Sequence, residues 1–181
     1  MTPGPNNLML LASGVNYGFS RTLPHILGVI TGYALLLSLV GLGLGQAFVA
    51  FPVVHFALKV AGGGYLIWLA WKIANSGPAY VDDVRAGRPM TFVQAATFQW
   101  VNVKGVLLAV SAVAAFTRPE TLSTSLPGLV SVSALASCVS AVTWAAFGAG
   151  LSRFLSSPGA LRSFNIAMAL LLLASLWPML R

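Results

Sequence analysis

Long apolar stretches occupy most of this sequence and constrain its fold more than any other feature. Each one can cross a bilayer, because a hydrocarbon core about 30 Å thick needs about 20 helical residues at about 1.5 Å per residue. Only helices and closed barrels satisfy their backbone polar groups in lipid, and these stretches lack the period-2 alternation of barrel strands. We therefore predict an all-α, polytopic membrane helix bundle with five full spans, at residues 23–50, 52–74, 92–116, 126–151 and 161–180.

The composition agrees with a membrane protein and argues against nucleic-acid binding. Hydrophobic residues make up 57% of the chain and charged residues 7%, whereas a soluble domain carries about 25% charged residues. The net charge is +7, but the Lys and Arg residues are scattered among the loops instead of forming a basic stripe. The predicted partner is therefore the lipid bilayer and not nucleic acid.

The chain is predicted to be a single transmembrane domain, residues 1–181, in two halves. A first half, 1–74, is joined to a second half, 92–181, by the polar linker 75–91. Basic residues flank the predicted spans mainly on one side, so the positive-inside rule predicts a cytoplasmic linker and outward-facing termini. The basic residues assigned to the cytoplasmic side are Arg21, Lys72, Arg85, Arg88, Arg153 and Arg162, and those assigned to the outer side are Arg118 and Arg181.

The start of the chain predicts a helix that spans only half a bilayer. A helix from Pro5 to Val15 would be about 16 Å long, and proline marks a helix break or a helix start. A helix that begins at mid-depth presents free N–H groups and a positive dipole end, which suits a carboxylate. We therefore predict that substrate binds at Pro3, Gly4, Pro5, Asn6 and Asn7.

At these residues the chain resembles the lysine exporter (LysE/RhtB) family of amino-acid translocators. TPGPNNLMLLASG at residues 2–14 is close to the motif TPGPN at the middle of the family's first helix. ALKVAGGGYLIWLAWK at residues 57–72 is similar to the third-helix pattern, and Asn102-Val103-Lys104 to the fourth-helix NPK, with Val103 in place of proline. The resemblance covers essentially the whole chain and implies amino-acid export driven by the proton gradient.

The same resemblance implies a first helix longer than the one in this sequence. The family has an apolar half-helix before TPGPN, and the chain lacks its counterpart. We therefore expect an in-frame apolar stretch of about 15 residues upstream of Met1 in the genomic DNA.

A loose internal repeat also indicates a transporter architecture. NLMLLAS at residues 7–13 and GVLLAVS at residues 105–111 each follow an Asn-bearing candidate for a helix break. Each segment also lies in the first helix of one half of the chain, and each half has three helices when the N-terminal half-span is counted. Because three is an odd number of membrane crossings, the two halves must have opposite orientations in the membrane. We therefore predict two inverted three-helix repeats with substrate bound where they meet. Chance similarity between Leu- and Ala-rich segments is the alternative.

Polar side chains inside the predicted spans are the remaining candidates for substrate binding, because polar groups in lipid are costly. Lys104 lies 12 residues beyond Phe92, which is about 18 Å into its span. Gln99 and Asn102 are three residues apart and so share a helix face, where their amides suit a zwitterion. Lys59 is a further candidate. The structural alternatives are interhelical hydrogen bonds for the two amides and snorkelling to the interface for Lys59.

Other singled-out residues have simpler interpretations. His25 and His55 lie near span ends and are interpreted as solvated interfacial anchors, with titration near neutral pH as the alternative. Two sets of small residues at helical spacing are interpreted as packing positions between helices. They are the pair Gly28 and Gly32, and the stripe formed by Ser133, Ser137 and Ser140. Cys138 is likewise interpreted as a packing residue. No catalytic residue, metal site or cofactor is predicted.

We predict an exporter of amino acids or related small zwitterions that works by alternating access in a bacterial inner membrane. The predicted spans contain no acidic residue, so proton coupling would fall to Lys104 or a histidine. Two alternatives stay open: a truncated or non-transporting assembly subunit, and an intramembrane hydrolase, which would need a Ser or Cys nucleophile near a base. The identity of the amino acid and the formation of a homo-oligomer are also left open.

Overall fold

The computed structural model of the chain describes residues 4–44, 52–76 and 88–177, and this part of the chain is helical and contains no strand. Pro3 and most of the predicted linker, residues 77–87, lie outside it. Two short irregular turns accompany the α-helices: a π-helical turn at Val40–Leu44, and a 3-10 turn at Pro119–Thr121. Within the described residues the seven α-helices are α1 (Pro5–Tyr17), α2 (Phe19–Leu39), α3 (Pro52–Ala74), α4 (Phe92–Val101), α5 (Val103–Phe116), α6 (Leu122–Leu151) and α7 (Pro158–Ala174).

The helices confirm a helical membrane protein. Within the described ranges, Phe19–Leu44 and Leu122–Leu151 are each long and apolar enough to cross a membrane, and α4 with α5 makes a third candidate if the pair is one bent span. The number of spans predicted from the sequence is not confirmed. The predicted boundaries 52–74 agree with α3, whereas α2, α6 and α7 begin three or four residues earlier than predicted.

The predicted break in the span at residues 92–116 is present at Asn102. Here α4 and α5 meet at an angle of 68°, and Asn102 has the non-helical angles φ −79 and ψ 89. Its N–H still donates to the carbonyl of Phe98 at 2.9 Å, and its own carbonyl accepts from the N–H of Val106 at 3.0 Å. Because helical hydrogen bonds continue on both sides of the bend, the chain turns here without the proline that the family motif has in place of Val103.

Glycines bring α1 directly against α6. A Cβ added to Gly14 would collide with the carbonyl oxygen of Ala145, and one added to Gly148 would collide with the carbonyl oxygen of Leu11. The two backbones therefore touch from both sides, a contact that small residues permit between membrane helices. This contact holds α1, only 13 residues long, inside the bundle.

The glycines of α2 serve the same purpose against α4. A Cβ on Gly28 would collide with the carbonyl oxygen of Phe92, and one on Gly32 would come within 2.6 Å of the backbone of Ala96. The sequence-based interpretation of Gly28 and Gly32 as packing positions is therefore confirmed.

Buried apolar side chains from both halves of the chain form a core cluster around α1. Leu10 of α1 belongs to the same buried cluster as Leu66 of α3, Phe98 of α4 and Leu172 of α7. The outer faces of the helices carry many exposed large apolar side chains, which suits a lipid-facing surface and is unusual for a soluble monomer. Examples are Val53, Phe56, Trp71, Leu135, Phe147 and Leu170.

Segments that the sequence assigned to the cytoplasm meet at one end of the bundle. The hydroxyls of Tyr17, at the end of α1, and Ser76, just after α3, are 3.3 Å apart. Arg88, which precedes α4, lines the same small cavity as these two residues. We call this the linker end and the opposite one, where Glu120 lies, the Glu120 end. The side of the membrane on which each end lies stays a prediction.

Candidate functional site

A cavity of about 810 Å³ lies where the start of α1 meets the start of α5. Its volume falls within the range of about 300–1,000 Å³ that is usual for small-molecule sites. From there it extends between α5 and the first half of α6, to Phe116 and Thr124 near the Glu120 end. Its polar lining includes Asn6, Asn7, Tyr33, Asn102, Lys104, Ser133, Ser137 and Ser140.

Lys104 lies beside the N-terminus of α1. A Cβ added to Gly4, the residue that precedes α1, would lie 3.2 Å from the Nζ of Lys104. No side chain caps the N-terminus of α1, so its positive dipole end and the ammonium group face the same space. A carboxylate fits this arrangement, because helix N-terminal N–H groups and a cation both stabilise an anion.

Asn6 and Gln99 join the two halves of the chain next to this site. The Asn6 amide donates to the Oε1 of Gln99 at 2.8 Å, and the Gln99 amide donates to the Oδ1 of Asn6 at 3.2 Å. Gln99 also donates to the carbonyl of Ala95 at 2.9 Å and is 0% exposed. Since its amide is engaged and it does not line the cavity, Gln99 holds Asn6 in place.

Asn7 connects α1 to a row of hydroxyls on α6. The hydroxyl of Ser140 donates to the Oδ1 of Asn7 at 3.3 Å, and Ser133 and Ser137 lie on the same cavity wall. The sequence interpretation of these serines as packing residues therefore overlooked their position at the site. Their three- and four-residue spacing, which places them on one helix face, was the available signal.

Asn102 contributes an acceptor at the bend between α4 and α5. Its side chain is 4% exposed and borders the cavity, and no donor among the described residues reaches its Oδ1. A buried acceptor without a donor costs about 1–3 kcal/mol. The ammonium group of an amino acid would supply such a donor.

The structure does not bring every predicted site residue to the cavity. Lys59 is half-buried on α3 and is not part of the cavity lining. Pro3 lies outside the described residues. Gly4, Pro5, Asn6, Asn7, Asn102 and Lys104 do border the cavity.

The interpretation of His25 as a solvated interfacial anchor is wrong. Its side chain is 1% exposed. The reason is that α2 begins at Phe19, directly after a turn at Gly18 with φ 79, so His25 lies more than a turn inside α2, where α1 packs on that helix. The side chain of His55 is outside what the structure describes, and its interpretation stays a prediction.

The charge at the cavity is positive. Lys104 is the charged residue of its lining, and no carboxylate of the described chain borders it. Nor do His, Cys, Asp and Glu side chains of the described residues form a group of three or more that could hold a metal ion. The chemistry available at the site is therefore that of an ammonium group, amides and hydroxyls, which suits reversible binding of a zwitterion.

Comparisons with known proteins agree with this chemistry. The chain is 36% identical over 177 residues to a cysteine/O-acetylserine efflux protein of Escherichia coli O139:H28, covering 96% of this chain and 87% of the relative. It is also 36% identical to the cysteine/O-acetylserine efflux proteins of E. coli K12 and Shigella flexneri, in each case over 95% of this chain and 87% of the relative. No solved structure matches the chain.

The match to a protein family extends over almost the whole chain. The LysE type translocator profile covers residues 1–175. Translocators of this kind are transporters, so the chain is a transport protein and not an enzyme. The sequence resemblance is thereby confirmed, and the chain belongs to the LysE type translocator family.

Proposed function

We propose that this protein exports small polar amino acids across a bacterial inner membrane, by alternating access coupled to proton influx. The observation that carries the proposal is the position of Lys104 beside the uncapped N-terminus of α1, in a cavity large enough for an amino acid. Cysteine and O-acetylserine are the first candidates, because they appear in the names of the relatives.

Each part of an amino acid has a complementary group in the cavity. The carboxylate is placed at the N-terminus of α1 and Lys104, where helix dipole and ammonium act together. The substrate ammonium is placed at the Oδ1 of Asn102, which has no donor among the described residues. A small polar side chain then faces the hydroxyls of Ser133 and Ser137.

Five full spans with an N-terminal half-span, arranged as two inverted repeats, are part of the proposal. In such an arrangement α2 corresponds to α6, and α3 corresponds to α7. Each of these helices packs against its own counterpart, which a two-fold relation allows. The cavity lies where the two helix starts, at Pro5 and Val103, approach each other. Substrate sites of inverted-repeat transporters lie at such places.

Alternating access is supported by the difference between the two ends of the bundle. At the linker end the backbones of α1 and α6 are in direct contact through Gly14 and Gly148. Towards the Glu120 end the cavity continues between α5 and α6 as far as Phe116 and Thr124. The proposed orientation makes this an outward-facing conformation, and the inward-facing one would separate α1 from α6.

Transport by the purified protein in liposomes tests the function. We expect vesicles preloaded with cysteine to exchange it for labelled cysteine, with O-acetylserine competing. Cysteamine lacks the carboxylate, and we expect it to compete at least about tenfold more weakly, a difference of about 1.4 kcal/mol. Equal competition by cysteamine would contradict the carboxylate site. If the protein exchanges none of a full panel of amino acids, the non-transporting assembly subunit is the better interpretation.

A further inference from the structure

A second cavity lies at the linker end, apart from the proposed substrate site. Its volume is about 40 Å³, and a single water needs about 10–15 Å³ on this measure, so it has room for a few waters and not for an amino acid. Three of the helices and the segment before α4 contribute to its walls. The polar residues of its lining are Ser13, Asn16, Tyr17, His25, Lys72, Ser76 and Arg88.

The imidazole of His25 does not hold the described helices together through hydrogen bonds. Neither its Nδ1 nor its Nε2 has a hydrogen-bond partner among the described residues, although the side chain is buried. Its buried polar neighbours bond to one another: Thr22 donates to the carbonyl of Gly18 at 2.8 Å, and its hydroxyl is 2.9 Å from that of Ser13. An imidazole left out of this network and bordering a cavity is available to water.

Few other groups of this chain can carry a proton through the bundle. The sequence has three acidic residues, of which Asp82 and Asp83 belong to the predicted linker and Glu120 to the turn before α6. Lys104 lies in the substrate cavity, where the proposed function uses its charge to hold a carboxylate. Histidine is the side chain whose charge ordinarily changes between about pH 5 and 8.

We propose that His25 carries the transported proton, with the small cavity as its water-filled exit to the cytoplasmic side. This inference rests on the proposed export function and names its coupling residue. The step is a proton transfer: a ring nitrogen uses its lone pair to accept H⁺ from hydronium that arrives from the outer side, which leaves water, and the imidazolium later returns H⁺ through the small cavity to water on the cytoplasmic side. The other titratable or charged groups on the cavity are Tyr17 from α1, Lys72 from α3 and Arg88 from the segment before α4.

The surroundings of His25 link this proton to the conformation of the linker end. Lys72 and Arg88 border the same cavity, and a third positive charge there repels both, most strongly where water is scarce. Asn16 lines the cavity too and pairs with Asn165 of α7 at 2.8 Å. Protonation therefore favours separation of α2 from α3 and from the segment before α4, which loosens the linker end as the change to the inward-facing conformation requires.

Two assays on the protein in liposomes separate this inference from the proposed function. Exchange of labelled for unlabelled cysteine needs no proton gradient, whereas accumulation against a concentration difference does. We expect His25→Gln to lose gradient-driven accumulation by at least about tenfold, about 1.4 kcal/mol, while exchange continues. His55→Gln is the matched control and should retain both activities. Equal gradient-driven accumulation by His25→Gln and the unmodified protein would overturn the proposal. No exchange by the unmodified protein would count against the proposed function instead.

A spectroscopic measurement decides the matter if His25→Gln loses exchange as well. In the His55→Gln protein labelled with ¹⁵N-histidine, His25 gives the single imidazole signal. We expect this signal to move towards imidazolium as the pH falls from about 8 to about 4. Cysteine should change the midpoint, because linkage between substrate and proton is reciprocal. An imidazole that stays neutral throughout, with and without cysteine, would overturn the proposal.

Discussion

Asn16 and Asn165, which are 149 residues apart in the sequence, exchange two side-chain hydrogen bonds inside the bundle, at 2.8 and 2.9 Å. The Asn165 amide also donates to the carbonyl of Ser76 at 2.9 Å. Near its other end α1 has a second reciprocal amide pair, between Asn6 and Gln99. The short helix α1 is therefore bonded to the second half of the chain at both ends, next to the two cavities.

The Asn16–Asn165 pair should behave as one energetic unit. Removing either amide leaves its partner buried with unmade hydrogen bonds, at a cost of about 1–3 kcal/mol. We therefore expect Asn16→Ala and Asn165→Ala each to lower the apparent melting temperature of the detergent-solubilised protein. The double variant should lose less than the sum of the two single losses. Fully additive losses would show that the pair does not stabilise the protein as a unit.

Lys104→Met should lower export without lowering membrane expression. The substitution keeps the side-chain length and removes the charge proposed to hold the carboxylate. We expect export of cysteine to fall by at least about tenfold, the equivalent of about 1.4 kcal/mol. Lys59→Met is the matched control, because Lys59 does not line the cavity, and it should export normally. An unchanged rate in a well-expressed Lys104→Met protein would remove Lys104 from the site.

Asn6 and Gln99 should affect export together. We expect Asn6→Ala to lower export less than Lys104→Met does, because Asn6 contributes an amide and not a charge. Gln99→Ala should cause a similar loss, since Gln99 holds the Asn6 side chain. The double variant should be no worse than the more impaired single one, when initial export rates are compared at equal expression. Multiplying losses would mean that the two residues act separately.

Gly148→Ala should impair folding because the added Cβ meets the carbonyl of Leu11. Backbone cannot move aside as a flexible side chain can, and overpacking costs about 1–3 kcal/mol. Gly150→Ala is a control on the same helix, since an added Cβ there meets nothing within 4 Å. We expect a smaller monodisperse fraction in size-exclusion chromatography for Gly148→Ala alone. Equal profiles for the two variants would contradict the direct backbone contact between α1 and α6.

Cysteine labelling should reveal the orientation of the bundle. Asn75 at the linker end and Ser123 at the Glu120 end are both exposed. In a Cys138→Ala background, we expect an impermeant thiol reagent added to intact cells to label Ser123→Cys and to spare Asn75→Cys until the membrane is permeabilised. The positive-inside rule is the basis of this expectation. The opposite pattern would invert the topology.

Features that depend on local backbone chemistry could be predicted from the sequence. In lipid a helix satisfies its polar groups within about four residues of each other, so prolines, polar turns and apolar length indicate where helices begin and end. The start of α1 at Pro5, the bounds of α3 and the bend at Asn102 were all predicted correctly for this reason. The family, too, was recognisable from short motifs.

Features that depend on which faces meet were decided only by the tertiary structure. Lys59 and Lys104 look alike as intramembrane lysines, yet Lys104 alone borders the cavity. His25 looks like an interfacial residue in the sequence, and it is buried because α1 packs on α2 beside it. The bonds between Asn16 and Asn165 join opposite ends of the chain. Apolar helices can pack on many faces, so sequence period alone does not select the pairs of side chains that touch; close packing of the whole bundle does.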